Sequence, residues 1–331
     1  FNALKSVIDI QNNLGDASKN PTGTISGGTF SADPTNNYVV LAEGYKVVKN
    51  ANGTFGVEEA AAYVAKVGEQ GYATLAEAIA AVQAGDNTIE LLADCAEKVT
   101  IAQVNGTNIV INGNGKTYTG TITIKGDKVA NNLYNTETLT FQNINFAPAY
   151  NTYAITAEKN TYARNITVDG CTFTNNTNSN SQGGAIFMDG EAKATISNCT
   201  FNGNKARYGA DVYMVDGDLT MVGCSFTGSE GALGGSCLAM SAQYNSSGLY
   251  NSSFSKSKAL VKNCTFSGIK AGLEQSSQDD GHSDAPGGVL ACVVGDLTVE
   301  GCTFDSCSGY GGTVVSLGSR VSRYQLMFGN A

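Results

Sequence analysis

One eight-residue pattern recurs six times along the chain, and no other feature limits the fold as strongly. The copies are LTFQNINF (139–146), ITVDGCTF (166–173), ATISNCTF (194–201), LTMVGCSF (219–226), ALVKNCTF (259–266) and LTVEGCTF (297–304). They align without gaps and end at Phe146, Phe173, Phe201, Phe226, Phe266 and Phe304, at intervals of 27, 28, 25, 40 and 38 residues. Within LTMVGCSF, Leu219 and Met221 alternate with Thr220, and Cys224 and Phe226 alternate with Ser225. A period of two marks a strand with one buried face and one wet face. Between the two half-strands stands Asn143, Gly170, Asn198, Gly223, Asn263 or Gly301. Asn and Gly tolerate positive φ best, so each octamer is expected to be a strand, a left-handed corner and a second strand.

A third apolar run follows most octamers, usually announced by glycine: GGAIFMDG (183–190), YGADVYMVDG (208–217), GGSCLAMS (234–241), GGVLACVV (287–294) and GGTVVSLG (311–318). One period then holds about three short strands and three turns. Such a period, without a helical pattern, predicts a β-solenoid and excludes helical repeats; propeller blades need longer periods. The two long periods read as coils with loop insertions, supplied by the stretches 242–258 and 267–286. The expected fold is therefore all-β, a right-handed parallel β-helix (β-solenoid).

Stacking coils about 4.8 Å apart places like residues above like. The Phe residues become one internal column. Cys171, Cys199, Cys224, Cys264 and Cys302 become another, headed by Ile144. Neighbours in such a column keep Cβ atoms about 4.8 Å apart, beyond the reach of a disulfide. These cysteines are expected to be buried free thiols acting as small hydrophobes. No Cys-x-x-Cys or Cys/His cluster suggests a metal centre.

The net charge of −9 and the absence of a basic run argue against nucleic acid and anionic membrane as partners. No apolar run approaches the ~20 residues of a membrane-spanning helix. The sequence starts at Phe1 and ends at Ala331, which reads as a fragment of something larger. Ahead of the repeats, TLAEAIAAVQ (74–83) reads as a short N-terminal capping helix. Thr74 and Glu77 form a capping box, Leu75, Ala78, Ile79 and Val82 share a face, and Gly85 supplies the stop. Strands are expected at 87–94, 99–102, 108–113 and 121–126. Residues 1–68 read as a separate β segment, the tail of a preceding module. Within it TGTISGGTFS (22–31) resembles one more coil, and 38–58 reads as short strands with a turn at Asn52-Gly53. The expected division is thus 1–68 and 69–331.

Phe173-Thr174-Asn175-Asn176, Phe201-Asn202-Gly203-Asn204 and Gly183-Gly184-Ala185-Ile186 resemble the Phe-x-x-Asn and Gly-Gly-Ala-Ile motifs of chlamydial polymorphic outer-membrane proteins. The later coils depart from both motifs. The series ISGGTFSADP, an AEGY hairpin and YATLAEAIAAVQAGDNTIELLAD is more similar to pectin-lyase-like modules of gut-bacterial surface proteins, over nearly the whole chain. That resemblance implies an extracellular, cell-surface location and an adhesin-like role. The implied partner is a host or dietary glycan, or a surface protein.

The first functional reading is therefore a non-enzymatic surface module, contacting glycans or serving as a spacer. The outward strand positions are mostly Thr, Ser, Asn and small residues, and the chain has a single His. Trp is absent, whereas 15 Tyr residues remain available for sugar contacts. The alternative is a polysaccharide lyase or glycoside hydrolase, with Asp279, Asp280 and His282 as acid/base candidates and Asp284 nearby. The tetrapeptide equally suits a solvated polar loop. A third reading places calcium at acidic turns before successive octamers. Asp189 and Glu191, Asp216 and Asp218, and Asp296 would supply oxygen ligands from stacked carboxylates. Plain turn chemistry favours Asp at the same places. No other cofactor is implied.

Overall fold

The computed structural model describes residues 23–35, 39–42, 45–59, 63–102, 106–125, 137–149, 151–158, 165–241, 257–272, 288–292, 295–309 and 314–317. The chain divides into two compact units, Phe1–Tyr63 and Val64–Ala331. The second unit starts ahead of the expected boundary at 68/69. The reason is that strand Ala65–Val67 pairs antiparallel with Gln70–Tyr72 and with Gly85–Leu91.

In the first unit Gly23–Ile25 pairs in parallel with Val39–Leu41. Gly28–Phe30 and Tyr45–Lys49 flank Phe55–Glu59 in an antiparallel sheet. The turn between the last two strands lies at Asn50–Thr54, where Asn50 N donates to Thr54 O at 2.8 Å and Gly53 has φ +83°.

In the second unit the octamers stack in parallel, residue on residue. Their first halves align Leu139, Ile166, Ala194, Leu219, Ala259 and Leu297 in one inward column, and Phe141, Val168, Ile196, Met221, Val261 and Val299 in the next. Their second halves form a separate seven-stranded sheet that superposes the six Phe residues. The rings stack at centroid separations of 4.9, 4.8, 4.8, 4.7 and 4.6 Å, with interplanar angles of 5–10°. The 40- and 38-residue periods therefore keep the same coil spacing as the short ones. The described strands on either side of the extra residues stay in register.

Every expected corner residue is left-handed: φ is +54° at Asn143, +59° at Gly170, +53° at Asn198, +64° at Gly223, +53° at Asn263 and +60° at Gly301. Asn and Gly alternate strictly along this column, and packing gives a reason. A Cβ on Gly170, Gly223 or Gly301 would lie 3.0, 3.3 or 2.5 Å from Oδ1 of the Asn one coil earlier. Each Asn side chain thus lies over the next coil, and a glycine there leaves it room.

The coil carries one short strand that was not expected, between the octamer and the third apolar run. A second left-handed column, Asn175, Gly203, Gly228, Gly268 and Ser306, turns the chain again two residues after each of the last five Phe residues. It produces a five-stranded parallel sheet of short strands, from Thr177–Gln182 to Ser308–Gly309. The third apolar runs then enter the same sheet as the octamers. Ile186–Ser197 and Val212–Val222 each run from one into the other without a break.

All nine cysteines are free thiols. Each column thiol donates to the carbonyl two residues before it and to a carbonyl of an earlier coil. Cys199 Sγ, for example, lies 3.1 Å from Ser197 O and 3.5 Å from Val168 O. In the last octamer Leu297, Val299, Cys302 and Phe304 are only partly buried, because no later strand among the described residues pairs beyond Asp296–Glu300 or Thr303–Asp305.

The helix is shorter than expected, Leu75–Ala80. Thr74 Oγ1 accepts from Glu77 N at 3.1 Å, as the capping box requires. Gly85 does not end it but opens the strand Gly85–Leu91. Glu97 helps to begin it, accepting from Leu75 N at 2.8 Å and Ala76 N at 3.2 Å. Leu75 and Ala78 are fully buried in the same core as the coils. The following strands are Gly85–Leu91, Lys98–Ala102, Thr107–Asn112 and Thr121–Lys125, close to their expected places. Among the described residues no helix is long and apolar enough to cross a membrane.

Candidate functional site

The candidate acid/base residues Asp279, Asp280 and His282, with Asp284, lie outside the described residues. The described residues stop at Gly272 and resume at Gly288.

The acidic turn residues are described, and the register does not stack them on one another. Asp189, half-buried, lies opposite Val215. Asp216 is buried at a left-handed position with φ +48°. Asp218 is exposed and stands between Lys193 and Lys258, and Asp296 stands beyond Lys258. The outward column therefore alternates Lys193, Asp218, Lys258 and Asp296, so that unlike charges are neighbours. Two carboxylates one coil apart are what a shared calcium ion would use; here a lysine separates Asp218 from Asp296. Among the described residues no group of three or more His, Cys, Asp or Glu is placed to hold a metal. The side chain of Glu191 lies outside the described residues.

The rest of the outward face is similarly ordered. Next to the charge column runs Thr140, Thr167, Thr195, Thr220, Leu260 and Thr298. On the seven-stranded sheet runs Thr172, Thr200, Ser225, Thr265 and Thr303. These hydroxyl columns follow from the octamer, whose second and seventh positions face out while its first, third, sixth and eighth face in. Some charges meet in ion pairs. Glu230 binds Lys205 at 2.9 Å and Lys270 at 3.0 Å, and both bonds hold its carboxyl below the usual carboxylate range. Lys262 and Glu300 meet at 3.0 Å.

Two features escaped the sequence reading. The first is a ring ladder on the outward side of the third apolar runs. Tyr153, Phe187 and Tyr213 stack at centroid distances of 5.2 and 5.6 Å, and Tyr208 and Ala239 pack against the cluster. The signal was present, since Phe187 and Tyr213 directly follow the inward Ile186 and Val212. The second is a polar network inside the stack. Asn204 Oδ1 accepts from Asn176 N at 2.9 Å and from Asn176 Nδ2 at 2.8 Å. Asn204 Nδ2 donates to Phe173 O at 3.1 Å and to Asp211 Oδ1 at 2.7 Å. Asn176, Asn204 and Asp211 are all fully buried. The Phe-x-x-Asn motif is therefore an interior ladder of amides.

No curated protein and no solved structure matches the chain. A family model described as a right-handed beta helix region matches residues 132–325, more than half of the chain, and spans all six octamers. Its parallel coils, left-handed corners and stacked columns place this chain in the right-handed β-helix family.

Proposed function

We propose that this chain is a non-enzymatic, adhesin-like module of a bacterial cell surface, working outside the cell and making lateral contact with a glycan. The observation that carries this reading is the outward face. Threonine and serine columns run from coil to coil, interrupted at Leu260, with a self-neutralising charge column beside them. That surface is long, polar and weakly charged, which suits an extended neutral polymer better than a small charged substrate. The Tyr153–Phe187–Tyr213 ladder adds an aromatic strip to the same sheet. The similarity to pectin-lyase-like surface modules supports the same role, although a fold alone assigns no activity. In this reading the helix Leu75–Ala80 caps the N-terminal end of the stack, an edge that would otherwise invite strand addition.

A glycan array probed with the whole chain tests the reading, alongside lyase and hydrolase assays on the glycans retained. Binding without turnover is expected. Turnover that is lost in Asp280→Asn would replace the proposal with the enzymatic alternative. Binding to no glycan would leave the chain a spacer and refute the contact.

A further inference from the structure

Asp211 is an acid in a column of apolar residues. The third apolar runs stack Ile155, Ile186, Val212, Leu238 and Leu290 in parallel register. One residue earlier in each run stand Ala154, Ala185, Asp211, Cys237 and Val289, all fully buried. The backbone at Asp211 is ordinary. Its N donates to Ser236 O at 3.1 Å and its carbonyl accepts from Ile186 N at 2.9 Å. Only the side chain breaks the pattern.

The surroundings offer that side chain little compensation for a charge. Oδ1 accepts from Asn204 Nδ2 at 2.7 Å and from Ser229 Oγ at 2.9 Å. Asn204 is itself tied to Asn176 and to Phe173 O, so it is not free to turn toward the other oxygen. Oδ2 is buried without a hydrogen-bond partner. The ionisable group beside the carboxyl is the Cys237 thiol of the next coil, and beyond it lie Cys264 and Cys307. Of the charged residues on the adjoining short strands, Lys205, Glu230 and Lys270 are paired with one another on the outer face, and Arg207 lies over the Tyr208 ring at 6.0 Å. A buried carboxylate with two neutral donors on one oxygen and no counter-ion is costly, and a proton on Oδ2 removes the cost.

We propose that Asp211 is a proton-binding site built into the coil stack, so that the folded chain holds a proton there that the unfolded chain releases. Burial pushes its carboxyl from the ordinary 3.8 up to about 7, against the opposing pull of the Asn204 and Ser229 hydrogen bonds and of the neighbouring Cys237 thiol. The folded value lies above the unfolded one. The stabilisation is therefore complete below about pH 4 and is lost as pH rises through about 7. Mild acid strengthens this stack, whereas most proteins begin to lose stability there as their paired carboxylates take up protons. The inference does not depend on the glycan reading.

Urea unfolding of the whole chain between pH 5 and pH 8 tests it, in the wild type and in Asp211→Asn. The wild-type midpoint should fall across that window, while the variant's midpoint stays level and exceeds the wild type at pH 8. An equal fall in both proteins would overturn the proposal. Should the variant fail to fold, infrared difference spectra of the wild type answer the same question. The carbonyl band of a buried neutral carboxylic acid should appear on acidification with a midpoint near 7. Its absence down to pH 5 would equally overturn the assignment.

Discussion

Two internal columns of the same coils behave in opposite ways. The Phe column repeats one residue six times at a spacing of 4.6–4.9 Å. The column that starts the third runs reads Ala154, Ala185, Asp211, Cys237 and Val289, with no two kinds of chemistry kept for long. Both are buried, and both are held by parallel hydrogen bonding from coil to coil, in two different sheets. The difference is what each side chain meets. A Phe ring meets another ring above and below, so any other residue leaves two neighbours without contact. The second column is lined by small groups and by the short strands of the second corner, which tolerate substitution. Stacking therefore preserves the first column and leaves the second free to acquire a chemical character of its own.

The largest break in this comparison should come from Phe201→Ala. It removes a ring stacked on both faces and should cost about 3–5 kcal/mol in chemical denaturation. Phe304→Ala should cost clearly less, because Phe304 is stacked on one face and only partly buried. Equal losses at both sites would mean that stacking on two faces is not what holds the column. At pH 8 the second column should respond in the other direction. A carboxyl displaced from 3.8 to about 7 is worth on the order of 4 kcal/mol when ionised, so Asp211→Asn should raise stability by up to that amount.

The corner column yields a smaller effect. Gly301→Ala places a Cβ at φ +60° and 2.5 Å from Asn263 Oδ1, and should cost about 1–2 kcal/mol. Asn263→Gly keeps the backbone and should cost well under 1 kcal/mol. Outside the core, Glu230→Gln breaks two exposed ion pairs and should change stability by less than about 1 kcal/mol. The smallest effect is expected from calcium. With Lys258 between Asp218 and Asp296, the melting temperature should not move when calcium or a chelator is added; a rise of several degrees with calcium would restore the acidic-turn site.

Much of the solenoid was legible because its repeat carries its own register. The corners at Asn143 through Gly301, the Phe and Cys columns and the status of the long periods as insertions all follow from aligning octamers. The second corner was less visible. Asn175, Gly203, Gly228, Gly268 and Ser306 share only a backbone requirement, and the motif around the first two was read as a family signature. The acidic turns were aligned by their distance from the octamer. The structure instead pairs Asp189 with Val215, next to an irregularity in the ladder between Asp189 and Ala192, and Asp218 with lysines, because Lys193 and Lys258 hold the position before the octamer in the flanking coils. Asp211 escaped for a related reason. GADV reads as a variant of GGAI until stacking shows that its Asp occupies a position held elsewhere by Ala, Cys and Val.

The central claim is that one coil stack continues in register past both insertions. Amide hydrogen exchange tests it most directly. The amides of Thr172, Thr200, Ser225, Thr265 and Thr303 each donate at 2.9 Å to the carbonyl of Ile144, Cys171, Cys199, Cys224 and Cys264 in the preceding coil. Ser225 and Thr265 lie on either side of the first insertion and should exchange equally slowly. Fast exchange at Thr265 and Thr303, with Ser225 protected, would show that the stack ends at the insertion and would contradict the account.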